Sequence, residues 1–148
     1  NNLIHFLPTK QKFIKINADI KCCLIRNPIE RFISSYKNRI LYHKDIKFYD
    51  HSIDMILDKL EAGLFENLHF LPQNFFLGDN LNYFQIYADV KNIQLFQDQV
   101  NDFFGEIIDF PKLQTKGSEF KIKLNNTQLN RVKKIYAKDF KIFYKDLK

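Results

Sequence analysis

Ile20-Lys21-Cys22-Cys23-Leu24-Ile25-Arg26-Asn27-Pro28-Ile29-Glu30-Arg31-Phe32-Ile33-Ser34-Ser35-Tyr36, continuing to His43, sets the architecture expected of this chain. Its first part, 20–25, is a short and mostly apolar run suited to an interior strand of a parallel sheet. Arg26 stands where that strand ends. A helix then begins with three signals in a row. Asn27 caps it, Pro28 takes the first helical position, and Glu30 sits three residues after the cap, as in a capping box. At about 100° per residue, Ile29, Phe32, Ile33, Tyr36 and Ile40 share an apolar face, while Asn27, Arg31, Ser34 and Asn38 lie opposite.

A helix N-terminus at the carboxyl end of a strand is where α/β folds bind anions, because backbone N–H groups and the helix dipole point there. Arg26 adds a planar, permanently charged fork matched to phosphate or sulfate. Ser34 adds a hydroxyl about two turns along, roughly 10 Å from the cap. The residues alone leave a second reading open, an ordinary capped helix whose arginines are solvated or paired with Glu30.

The string Arg26-Asn27-Pro28-Ile29-Glu30-Arg31-Phe32-Ile33-Ser34-Ser35-Tyr36 resembles the 3′-phosphate-binding motif of sulfotransferases that use 3′-phosphoadenosine 5′-phosphosulfate (PAPS). It is most similar to the carbohydrate sulfotransferase branch, with its pattern Arg-Asp/Asn-Pro-x-Glu-Arg-x-x-Ser-x-Tyr. The resemblance implies that Arg26 and Ser34 hold the 3′-phosphate of the donor. It also implies a P-loop NTPase-like α/β fold, with a central parallel sheet flanked by helices and a mostly helical portion present here.

The bulk composition agrees with a packed globule. The chain has 148 residues, 45% of them hydrophobic, with 16 Phe and only four Gly and four Pro, so long disordered linkers are excluded. One domain over 1–148 is expected. No apolar run approaches the roughly 20 residues of a membrane span, and the start does not read as a signal peptide. The net charge of +6 favours anionic partners: nucleotides, acidic glycans or, less specifically, nucleic acid. No helix carries a dense basic face interleaved with aromatics, so nucleic acid is not the expected partner. Cys22 and Cys23 are adjacent, point to opposite faces of a strand, and cannot form an ordinary disulfide with each other. Two cysteines also supply no zinc set, and no metal is expected. A reducing compartment is the simplest reading. The abundance of Lys, Asn, Ile and Phe points to an AT-rich, bacterial genome and a cytoplasmic site, with a Golgi-type location left open for a longer precursor.

Along the rest of the chain, 3–7 is apolar around His5. His5 precedes Arg26 by about the interval that separates a catalytic histidine from the motif arginine in some glycan sulfotransferases; a structural histidine is the alternative. A second helix is expected over 52–62, capped by Ser52 and stopped by Gly63. His69-Phe70-Leu71-Pro72-Gln73 resembles a His-x-x-Pro-Gln segment of the same branch, where it lies near the acceptor side of the cleft. His69 is thus a candidate base, with a structural role equally open. Residues 83–88 read as a second interior strand. Asp89 or Asn92 then caps a helix over 93–104 that closes at Gly105, giving the alternation of an α/β sheet. Lys116-Gly117-Ser118 could wrap a phosphate, as a late basic loop does in sulfotransferases, or form a plain surface turn. A last helix is expected over 127–147, capped by Asn126. Within it, Tyr136 to Phe140 resembles the family's closing Tyr-x-x-Asp-Phe element, read as structural.

The family's upstream strand-loop-helix, which cradles the 5′-phosphosulfate, does not precede Arg26, so an N-terminally incomplete domain is expected. The chemistry implied is transfer of a sulfuryl group from PAPS to a hydroxyl of a carbohydrate acceptor. A histidine would serve as base, since its pKa lies near neutrality. The alternative is a non-catalytic anion- or glycan-binding module of the same fold.

Overall fold

A computed structural model describes residues 20–45, 47, 50–108, 110 and 117–145. His5 and Lys116 lie outside the described residues. Two short parallel strands carry the sheet: β1 (Cys22–Ile25) and β2 (Ile86–Asp89), paired with Cys23 opposite Tyr87 and Ile25 opposite Asp89. Between them run α1 (Pro28–Ser35), which continues without a break as a π-helical segment (Tyr36–Tyr42), then α2 (Ile53–Glu61), a 3-10 turn (Leu68–Phe70) and α3 (Gln73–Leu77). After β2 come α4 (Ile93–Phe104), α5 (Asn126–Ile135) and α6 (Ala137–Phe143). The described part is a mixed α/β structure, mostly helical, with both strands parallel.

Strand alternation sends side chains to two different layers. Cys23 and Ile25 face Phe84 and Phe143 of α6. Leu24, Ile86 and Ala88 face Phe96 and Val100 of α4. The apolar face of α1 forms the larger core. Phe32, Tyr36 and Ile40 pack with Ile56, Leu57 and Leu60 of α2, with Phe70, and with Val132 and Tyr136 of α5. Arg131 of α5 ties these helices at the surface, reaching Asp54, Asp58 and Glu61 of α2.

Several boundaries differ from the sequence expectation, each for a local reason. Strand β2 starts three residues later than 83, because the Asn80 side chain accepts the Asn82 N–H and winds 81–83 into a 3-10 turn. Asp89 caps a 3-10 turn (Val90–Asn92) through the Lys91 N–H, whereas Asn92 makes no side-chain cap bond to α4. The last helix is two helices. Its cap is Asn125, not Asn126, in a reciprocal capping box with Gln128. It breaks at Tyr136 (φ −103°, ψ 23°), and α6 restarts at Ala137. The capping box expected at Glu30 does not form: Asn27 Oδ1 accepts from Ile29 N at 3.0 Å, while Glu30 pairs with Lys91 at 2.6 Å. Of the two cysteines, Cys23 is buried but Cys22 is exposed, so β1 is not interior along its whole length. Burial, reinforced by neighbouring Cys22, pushes the Cys23 thiol up to about 12, which makes it inert.

Candidate functional site

Arg26 leaves β1 at the carboxyl end of the sheet, and its backbone is gripped from both sides by one side chain. Gln73 Oε1 accepts the Arg26 N–H at 2.8 Å, and Gln73 Nε2 donates to the Arg26 carbonyl at 2.7 Å. Gln73 thus imitates a neighbouring strand where the sheet has ended. Gln73 is itself fixed by Asp139 of α6, whose carboxylate accepts the N–H groups of Gln73 (2.6 Å) and Asn74 (2.9 Å). Asp139 is fully buried. Burial lifts its carboxyl pKa, against the opposing pull of those two N–H bonds and of the Arg31 charge.

Just before α3, three successive carbonyls are strapped to the helices. Ser35 Oγ donates to the His69 carbonyl at 2.8 Å, Tyr136 OH to the Phe70 carbonyl at 2.7 Å, and Arg31 Nη1 to the Leu71 carbonyl at 2.5 Å. Arg31 also lies over the Phe76 ring. Its pKa is lowered by burial, so Arg31 is a structural cation and not part of the open polar front expected for it.

Arg26 and Ser34 behave differently. Both side chains are partly exposed, and among the described residues neither makes a hydrogen bond or ion pair. The first turn offers little backbone help to an anion. Pro28 has no N–H, the Ile29 N–H goes to the cap, and the Arg31 N–H goes to the Asn27 carbonyl at 2.8 Å. Among the first-turn N–H groups, only that of Glu30 has no partner given among the described residues.

The other expected residues fall as follows. Gly117 is buried against the π segment one turn beyond Ser34. Its φ is +93°, and a Cβ at this position would lie only 3.4 Å from the Lys37 carbonyl group, so only glycine fits without strain. The loop at 117–119 therefore returns to the helix that carries Ser34. His69 is on the same helix's flank, through the Ser35 bond to its carbonyl. Its ring Nδ1 lies 3.0 Å from Asn67 Oδ1. Asn67 Nδ2 lies 2.8 Å from Asp45 Oδ2, and Arg39 grips Asp45 with two bonds of 2.8 and 2.7 Å. Partial burial, then Arg39, lowers the His69 pKa from its ordinary value.

Beyond the two strand ends lies an open hollow of ≈ 380 Å3 lined by Asn27, Asp89, Lys91, Asn92, Phe140 and Tyr144. Tyr144 OH donates to Asp89 there, and its pKa is raised by burial and by that carboxylate. Among the described residues no group of three or more His, Cys, Asp or Glu could hold a metal, and no helix is long and apolar enough to cross a membrane.

Sequence reasoning singled out the segments that hold Gln73 and Asp139, the second as structural, but not the clasp they form, and it missed the Asp45–Asn67 pair. One signal was present for Asp139: it falls on the stripe of Val132, Tyr136 and Phe143, where a carboxylate must find partners.

Comparison with known families matches residues 3–74, 72 of the chain's 148, to the family described as the sulfotransferase family. No curated protein and no solved structure matches the chain. The matched part runs from before β1 through Gln73 and Asn74, so it contains Arg26, Ser34 and His69.

Proposed function

We infer that residues 3–74, which match the sulfotransferase family, form part of a domain of that family. From this premise we propose that the protein belongs to a PAPS-dependent enzyme that moves a sulfuryl group to a carbohydrate hydroxyl. What carries the reading is the division within the motif: of its two arginines and two serines, Arg26 and Ser34 alone keep unpartnered polar ends among the described residues. A guanidinium fork and a hydroxyl suit a phosphate monoester such as the donor's 3′-phosphate. PAPS supplies the activated sulfuryl group.

In this reading Arg26 pairs with the 3′-phosphate, and Gln73 holds the backbone from which Arg26 projects. Ser34 donates its hydroxyl to the same phosphate. Gly117 lets its loop lie on the helix beside Ser34, and Lys116, outside the described residues, adds a second cation. His69, its pKa lowered, takes the proton of the acceptor hydroxyl. His5, also outside the described residues, is the other candidate base. The hollow at the strand ends, beside Asn27, has room for the nucleoside half of the donor.

The test is thermal shift with 3′-phosphoadenosine 5′-phosphate (PAP). At a hundred times Kd, binding stabilises by about 2.7 kcal/mol, a rise on the order of 5–10 °C for a chain of this size. Arg26→Ala removes the rise. No rise at millimolar PAP overturns the proposal.

A further inference from the structure

We propose that Asn67, clamped by Asp45 and Arg39, is a positioning residue that fixes the tautomer of His69 with the proton on Nδ1 and the lone pair on Nε2. Its catalytic meaning rests on His69 as the base in the reading above, but the geometry that carries it does not depend on a ligand.

Donors of known kind decide the orientation of each group in turn. The backbone N–H of His69 points at Asn67 Oδ1 at 3.0 Å, and a backbone N–H can only donate. That end of the Asn67 amide is therefore the oxygen. The other end is the NH2, and it meets a carboxylate oxygen, Asp45 Oδ2, at 2.8 Å, as the same orientation requires. Asp45 cannot turn away, because Arg39 holds both of its oxygens, Nε to Oδ2 and Nη2 to Oδ1. The ring atom Nδ1, 3.0 Å from the Asn67 oxygen, thus faces an acceptor and must carry hydrogen. A neutral imidazole then has its lone pair on Nε2, which has no hydrogen-bond partner among the described residues.

This arrangement does a specific job. When an acceptor hydroxyl loses its proton to Nε2, the O–H bond breaks and an Nε2–H bond forms; the oxygen's electron pair makes the new O–S bond as the bridging S–O bond of PAPS breaks and PAP leaves with that bond's electron pair. The opposite tautomer would present an N–H to that hydroxyl and could not accept. Asn67 has no site to take a proton, so Asp45 acts through it by orientation and not as a proton relay. The charged and titratable groups around the ring are Arg31 and Arg39 from the α1 helix and its π continuation, His43 and Asp45. The positive majority favours the neutral ring that the clamp orients.

The experiment is long-range proton–nitrogen NMR of the 15N-labelled chain at pH 7.5, with His69→Gln to assign the signal among the four histidines. His69 is expected to show a protonated Nδ1 and a bare Nε2. Asn67→Ala is expected to lower the Nδ1–H to Nε2–H ratio about five- to tenfold, the worth of one net hydrogen bond. Asn67→Ala is expected to keep the wild-type amide spectrum and unfolding transition, which guards against misreading a folding defect. A protonated Nε2 in the wild type, or a ratio unmoved by Asn67→Ala, overturns the proposal. Because no ligand is used, failure to bind PAP would count against the donor reading and leave this one standing.

Discussion

The motif stretch 26–36 carries two arginine–serine pairs that look alike in sequence and differ in structure. Arg31 and Ser35, four residues apart on one face of α1, are spent on the carbonyls of Leu71 and His69. Arg26 and Ser34 hold nothing among the described residues. The first pair fastens the stretch 69–73 to the helix, and that fastening lets Gln73 clasp the backbone of Arg26. The stretch therefore includes its own scaffold. Half of its arginines and serines build the mount, and the other half keep unpartnered polar ends among the described residues.

The largest effect should come from the far end of the mount. Asp139→Ala leaves the N–H groups of Gln73 and Asn74 without their acceptor, and an expected loss of about 3 kcal/mol in urea unfolding follows. A loss below about 1 kcal/mol would erase the distinction between mount and open side, since the clasp would then not depend on Asp139. Arg31→Ala should cost about 2 kcal/mol by the same measurement, through the orphaned Leu71 carbonyl and the emptied space over Phe76. The serines repeat the contrast at smaller scale. Ser35→Ala should cost about 1 kcal/mol, whereas Ser34→Ala should change stability by less than about 0.5 kcal/mol and weaken PAP binding instead.

The smallest effect concerns His69, whose carbonyl belongs to the mount and whose ring belongs to the open side. Its folded pKa lies below the ordinary ~6.5. The folded ring resists a proton that the unfolded chain accepts. The ring's contribution to stability is therefore complete above ~6.5 and declines as pH falls from there toward the lowered folded value. Unfolding curves from about pH 7.5 to about pH 5 should decline less in His69→Gln than in the wild type, and equal slopes would show that burial does not hold the ring neutral.

Much of this was legible where the governing physics is local. The apolar face at Ile29, Phe32, Ile33, Tyr36 and Ile40 packs as its spacing requires, and Ser52 caps α2 by accepting the Met55 N–H. The β1–α1 turn with Arg26 at its apex, and the left-handed stop of α4 at Gly105, also follow from short-range signals. The clasp did not show itself, because its partners are 47 and 66 residues apart in sequence. No periodicity or capping rule reaches that far. Helical spacing put Arg31 beside Ser34 on the polar face; only the fold shows that Arg31 and Ser35 are the ones that meet carbonyls. The π segment escaped for a different reason. Its core residues Tyr36 and Ile40 keep helical spacing, so the wider winding leaves no mark on the pattern.

The decisive experiment is calorimetric titration of PAP against adenosine 5′-phosphate, which lacks the 3′-phosphate, into the wild type and Arg26→Ala. The wild type is expected to prefer PAP, and Arg26→Ala to lose this preference while keeping its melting temperature. Equal affinity for the two nucleotides in the wild type, or an undiminished preference in Arg26→Ala, would contradict the assignment of Arg26 to the 3′-phosphate.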